Sequence, residues 1–175
     1  PSTQAYAVAL IALTASRVSE IVGAQWSEVD FETATLNIAP ERRKDGKPEP
    51  HRVPLSRQAM EILRRIRPAD PSGNIFTGKT GNRLDRCTPI NTLKKFSRPD
   101  ATMHGLRSTF RDWAAETGVQ DVLAEKQLMH AFGSAVVQAY QRSDLLEQRR
   151  PVMQAWADAV MPIDFLPALC NNTHR

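Results

Sequence analysis

The residues able to do chemistry in this chain of 175 are best found by elimination. His51, His104, His130 and His174 show no HxxxH or HExxH spacing, and Cys87 and Cys170 form no CxxC pair. Neither a catalytic metal nor a zinc ribbon is therefore expected, and no cofactor is implied. Carboxylates are scattered rather than clustered as in a two-metal nuclease, there is no GxSxG elbow, and no glycine-rich phosphate loop appears. What remains is a set of cations and a tyrosine: Arg17, the run His104-Gly105-Leu106-Arg107, His130 and Tyr140. An imidazole and a guanidinium three residues apart share one face of a helix start, whose backbone N–H groups also favour a phosphate. Arg17, the only basic residue in the first 40, either pairs with Glu20 one turn on or reaches into a cleft. Taken singly, His130 is equally compatible with a capping role and Tyr140 with a core aromatic.

These residues need a scaffold, and the composition allows one. Hydrophobic residues make up 41% and charged residues 24%, enough for a single domain with a real core. The longest apolar run, residues 5–13, is far short of the roughly 20 residues that cross a bilayer, and no basic flank marks a secretory signal. A cytoplasmic setting without membrane attachment is the expectation. Net charge is +4, unevenly spread: residues 41–111 hold 17 Lys/Arg against 7 Asp/Glu. A basic middle between acidic ends suits a polyanion, although solvated helix faces would look similar.

The pattern of elements predicts an α+β fold, mainly helical, with helices packed around a small antiparallel sheet. A buried helix spans about residues 3–14, and a second starts at Ser16 or Arg17 with Val18, Ile21 and Val22 on one face. After a break at residues 26–30, alternation around Leu36 and Ile38 and again at residues 51–55 predicts a hairpin over 34–55 with a long basic tip. Ser56 caps a helix to Ile66, and Ile75-Phe76 suggests a short third strand. Helices follow at about 88–97, 104–117, 121–129 and 133–139. The last runs over 144–160 with Leu145, Arg149, Val152, Trp156 and Val160 as its stripe, and Pro151 is expected to kink or interrupt it. The chain opens at Pro1 already inside a helical pattern, so a longer parent protein is expected.

In combination the residues are much less ordinary. The order Arg, hairpin Lys, His-x-x-Arg, His, Tyr resembles the catalytic domain of the tyrosine recombinase (phage integrase) family. Residues 14–20 with 25–30 are similar to the family's first-arginine box, and 51–56 to its second hairpin strand. Residues 104–110 are similar to its central box, 128–140 to its nucleophile box, and 142–156 to the tail found in prophage and genomic-island integrases. Family members often carry glycine where Met129 stands.

The resemblance implies a catalytic domain over residues 1–161, a tail over 162–175, and an N-terminal DNA-binding domain of the parent lying outside this chain. It implies a site-specific recombinase of a mobile element, cutting and rejoining double-stranded DNA through a 3′-phosphotyrosyl intermediate without metal. Tyr140 would be the nucleophile, His104 its proton acceptor, and Arg17 and Arg107 the forks on the non-bridging oxygens. His130 would donate to the phosphate, and Lys44 would protonate the leaving 5′ oxygen, with Lys47 the second choice. Glu20 would support Arg17, and Arg42, Arg43, Lys47, Arg52, Lys94 and Lys95 would contact DNA. A homotetramer on DNA is implied for the full-length protein, nucleoid-associated when bound, with a monomer expected for the isolated chain. The competing readings are a catalytically silent DNA-binding module, a type IB topoisomerase-like nicking and resealing enzyme, and a metal-free ribonuclease with Tyr140 structural.

Overall fold

The computed structural model describes residues 2–78, 80–96, 100–130 and 143–162. Its centre is α1 (Thr3–Thr14), where the Ser2 hydroxyl caps the N-terminus by accepting from the Ala5 N–H. Because α1 is apolar nearly all round, it can be enclosed on several sides, and it packs on α3, α4 and the last helix. Leu10, Ile11 and Leu13 are fully buried there. A left-handed Ala15 (φ 50°) ends the helix and turns the chain sharply into α2 (Val18–Val22).

The expected hairpin is present: β2 (Thr35–Ile38) pairs antiparallel with β3 (His51–Pro54), with Leu36 opposite Val53 and Ile38 opposite His51. The period-two pattern buries Leu36, Ile38 and Val53. The break foreseen at residues 26–30 is partly a strand. A 3-10 turn over Trp26–Glu28 leads into β1 (Val29–Asp30), which pairs with β2 to complete the sheet order β1-β2-β3. Two residues are too few for a periodicity to register in sequence. Asp30 closes the following turn by accepting the Glu32 and Thr33 N–H groups at 2.9 and 3.0 Å.

The third strand foreseen at Ile75-Phe76 does not form. Both side chains are buried, but the flanking backbone makes single bridges, Gln25 to Asn74 and Thr77 to Arg83, in place of a ladder. The helices follow the sequence closely: α3 (Arg57–Ile66), α4 (Cys87–Phe96), α5 (Met103–Glu116) and α6 (Asp121–Leu128). The expected helix at 133–139 lies outside the described residues, as does the expected tail beyond residue 162.

The last helix, α7 (Leu146–Val160), continues through Pro151, so the expected interruption does not occur. Its buried face is Leu146, Arg149, Met153, Trp156 and Ala157, rotated from the expected stripe, which leaves Val160 exposed. Trp156, common to both stripes, anchors that face. Its ring packs edge-on to Phe110 at 5.4 Å and tilted to Trp113 at 5.3 Å, while its indole N–H donates to the Ala12 carbonyl at 2.8 Å. A second core cluster of Phe110, Ala114, Ala124, Leu128, Met153 and Trp156 thus ties α5, α6 and α7 to the end of α1. No helix of the described residues is long and apolar enough to cross a membrane.

Candidate functional site

Arg17 precedes α2 in extended conformation, and Glu20 grips it twice: the Arg17 N–H donates to Oε2 at 2.7 Å and Nη1 donates to Oε1 at 3.0 Å. Glu20 is buried, so one carboxylate both closes the helix start and aims the guanidinium.

Arg107 lies on α5, one turn beyond His104, with the residue 7% exposed. Its Nη1 donates to the Ala15 carbonyl at 2.5 Å and its Nη2 to the Leu128 carbonyl at 2.7 Å. Those carbonyls belong to the ends of α1 and α6, where backbone oxygens lack helical partners and the helix dipole is negative. Among the described residues, no carboxylate hydrogen-bonds to this guanidinium. Burial first, and the Arg17 charge second, lower its pKa from the ordinary guanidinium range to about 10, which leaves it a cation at neutral pH. Among the described residues, two cations converge and only Arg17 has its own anion.

His130 joins them from the end of α6. The left-handed Met129 (φ 51°) swings the chain back, and the ring stands with Nε2 3.4 Å from Arg107 Nη2 and Nδ1 2.9 Å from Glu125 Oε2. His104 is exposed on the first turn of α5, which Thr102 caps by accepting the Gly105 N–H at 2.9 Å. Its ring makes no hydrogen bond among the described residues. Lys44 and Lys47 project from the hairpin tip, both exposed. The structure thus brings together Arg17, Arg107 and His130, with His104 one turn away and Lys44 on a separate loop; Tyr140 lies outside the described residues.

The residues expected to contact DNA divide sharply. Arg42 reaches both oxygens of Glu28, at 2.6 and 2.5 Å. Arg43 forks onto Asp45 at 2.8 and 2.6 Å and donates to the Glu49 carbonyl at 2.6 Å, bracing the hairpin tip. Arg52 forks onto Asp144 at 2.7 and 2.7 Å, holding β3 to the start of α7. Lys94 and Lys95 end α4 with exposed side chains.

A sequence profile described as the phage integrase family matches residues 2–146, which includes every residue of this cluster. The chain belongs to the phage integrase family. It is 36% identical over 156 residues to the prophage integrase IntA of Escherichia coli K12, covering 87% of this chain and 37% of that protein. Prophage integrase IntZ of the same organism is 33% identical (88% and 39% covered), and the integrase of Enterobacteria phage P4 is 32% identical (87% and 39%). The chain spans about two-fifths of the length of these relatives. The fold is shared with an integrase from mycobacterium phage Brujita (TM-score 0.67, 19% identity, 88% of this chain and 52% of that one). It is shared also with XerA recombinase (TM-score 0.59, 20% identity, 92% and 58%).

Sequence reasoning missed the polar residues behind this integrase cluster. Arg149, 1% exposed, donates to the Asp144 carbonyl at 2.9 Å, Gln127 Oε1 at 2.8 Å and the Arg52 carbonyl at 2.7 Å. Gln127, equally buried, donates onward to the Thr14 carbonyl at 2.7 Å. Together they tie the hairpin, α6, α7 and the end of α1 at one point. Arg149 stood in the expected stripe, and a charged residue on an otherwise apolar face was the signal available. Beside it His51, buried with Nε2 unpartnered, has its pKa lowered from 6.5 to about 3 by burial and then by the Arg149 charge.

Proposed function

We propose that this chain is the catalytic part of a site-specific DNA recombinase of a mobile element, acting on double-stranded DNA through a 3′-phosphotyrosyl intermediate at Tyr140. The observation that carries this reading is Arg107. A buried guanidinium held by helix-end carbonyls beside a second guanidinium is a site built for an anion from elsewhere, and a phosphodiester has two non-bridging oxygens to receive two forks. Neutralising them is what attack on phosphorus demands, and it is the task a divalent cation performs in metal nucleases.

In the reaction, the Tyr140 oxygen attacks phosphorus, the bond to the 5′ oxygen breaks, and that oxygen takes a proton from Lys44. The phenolic proton passes to His104, the less restrained of the two histidines. One phosphodiester replaces another, so a 5′ hydroxyl from a second strand reverses the step with no nucleotide hydrolysis. Of the residues expected to touch DNA, Lys44, Lys47, Lys94 and Lys95 have exposed side chains and follow the duplex, whereas Arg42, Arg43 and Arg52 are engaged by carboxylates and hold the protein together. Assembly as a tetramer on DNA belongs to the full-length protein.

The test is a nicked suicide duplex carrying the junction between element and host chromosome. Incubation in EDTA should give a protein–DNA adduct that survives denaturant, and Tyr140→Phe should abolish it. An adduct of equal yield with Tyr140→Phe would remove the nucleophile. Strict dependence on added metal would remove the guanidinium argument.

A further inference from the structure

Glu125 stands behind His130. Its side chain is 15% exposed, against 47% for the His130 ring, and its carboxylate divides between two donors. Oε1 accepts from Arg111 Nε at 2.8 Å, and Oε2 meets His130 Nδ1 at 2.9 Å. An ionised carboxylate can only accept, so Nδ1 carries the ring hydrogen. On the far side, Nε2 faces Arg107 Nη2 at 3.4 Å, and because a guanidinium can only donate, Nε2 turns its lone pair toward the cluster.

The backbone closes the arrangement: the His130 N–H donates to the Glu125 carbonyl at 2.9 Å, across the left-handed Met129. The residue that grips the ring also grips its backbone. Arg111 pairs further with Asp121 at 3.1 Å, so Glu125 is itself held from α5 and from the start of α6.

We propose that Glu125 is a positioning residue for the phosphate site: by accepting from Nδ1 it fixes the tautomer and the rotation of His130, so that Nε2, and not Nδ1, faces a phosphate bound at Arg107 and, on taking a proton from solvent, donates to its oxygen. This rests on the reading of Arg17 and Arg107 as a phosphate site. A neutral imidazole left to itself places its hydrogen on either nitrogen, and a ring without a partner at Nδ1 is free to turn about its last torsion. Glu125 removes both freedoms before DNA arrives, as oriented histidines elsewhere require.

The experiment reads the tautomer directly and the chemistry separately. Nitrogen-15 histidine spectra of the DNA-free chain, with His130 assigned by its loss in His130→Asn, should show hydrogen on Nδ1 in the wild type. Glu125→Gln should retain that state, because an amide oxygen still accepts, while Glu125→Ala should shift hydrogen toward Nε2. On the suicide duplex, Glu125→Ala should cleave about tenfold to a hundredfold more slowly with DNA affinity changed less than about twofold. Glu125→Gln should recover most of that rate, and Glu61→Ala on α3 should match the wild type. An unchanged tautomer in Glu125→Ala would overturn the proposal, as would equal losses in the alanine and glutamine variants. An adduct that persisted in Tyr140→Phe would sink the nucleophile reading and leave the tautomer result standing.

Discussion

At the scale of single residues, Arg107 is a cation whose partners are dipoles. The Ala15 and Leu128 carbonyls satisfy two of its donors without cancelling its charge, which is why it stays available to an anion. Lysine cannot reproduce this. One ammonium cannot span two carbonyls and also reach a phosphate oxygen, so Arg107→Lys should slow single-turnover cleavage on the order of a hundredfold, about 3 kcal/mol. A lysine variant cleaving within threefold of wild type would remove the fork argument. His51 makes a prediction about stability. Its folded pKa of about 3 lies below the ordinary 6.5, so the unfolded chain binds a proton the folded chain refuses, and stability falls as pH drops between them. One such proton contributes a slope of at most ~1.4 kcal/mol per pH unit. Asp45 and Asp144, with pKa values lowered from 3.8, lose their stabilising contributions only at more acid pH. Urea melts of His51→Leu between pH 5 and 6.5 should therefore show a flatter dependence than the wild type, and an undiminished slope would contradict the assignment.

At the scale of elements, the cluster is built from helix ends. Ala15 closes α1 and Met129 closes α6, both left-handed, and each turn presents the carbonyl that Arg107 uses or the ring beside it. A residue with a Cβ is strained there and glycine is not, which gives a physical reason for the glycine often found at Met129 in the family. Met129→Gly should raise the unfolding free energy by about 0.5 kcal/mol with cleavage unchanged; a lower melting temperature would show that the half-buried methionine packs more than it strains. If Lys44 protonates the 5′ oxygen, Lys44→Ala should cut slowly, and replacing that oxygen by sulfur, a leaving group that needs no proton, should restore the rate; Lys47→Ala should need no such rescue. These elements differ in how well the sequence announced them. Periodicity located α1, α5 and the hairpin within a residue or two, and the Ser56 cap located α3, because these signals act locally. The two-residue β1, the single bridges around Ile75 and the rotation of α7 depend on distant partners, Leu36, Asn74 and the Phe110–Trp113 pair, and no local pattern encodes them. The arginines and histidines of the candidate site were named from their order, whereas Glu125, Gln127 and Arg149 are held in place by contacts that include partners 14 to 113 residues away in sequence.

At the scale of the molecule, folding redistributes the charge that the sequence displays. Part of the excess of Lys/Arg over residues 41–111 is met by carboxylates from the acidic flanks: Arg42 by Glu28, Arg52 by Asp144, Arg57 by Asp158, and Arg111 by Asp121 and Glu125. The basic middle is thus partly a device for holding the chain's ends to its centre, and the positive surface is smaller than the composition suggests. A duplex seated on the site would meet the two guanidiniums there, with the lysines of the hairpin tip and of the end of α4 proposed to flank them. That limits the counterions released on binding. If about four to seven phosphates are neutralised, log affinity against log salt concentration should fall with a slope on the order of −4 to −6. Lys94→Ala with Lys95→Ala should make the slope shallower by about 2. Arg42→Ala should lower stability, since it leaves the Glu28 carboxylate short of its partner, and leave the slope unaltered. A slope approaching the count of all 17 basic residues, or one that responded to Arg42 and ignored the lysines, would mean that the paired arginines turn outward on DNA, and the division between holding the fold and holding the duplex would fail.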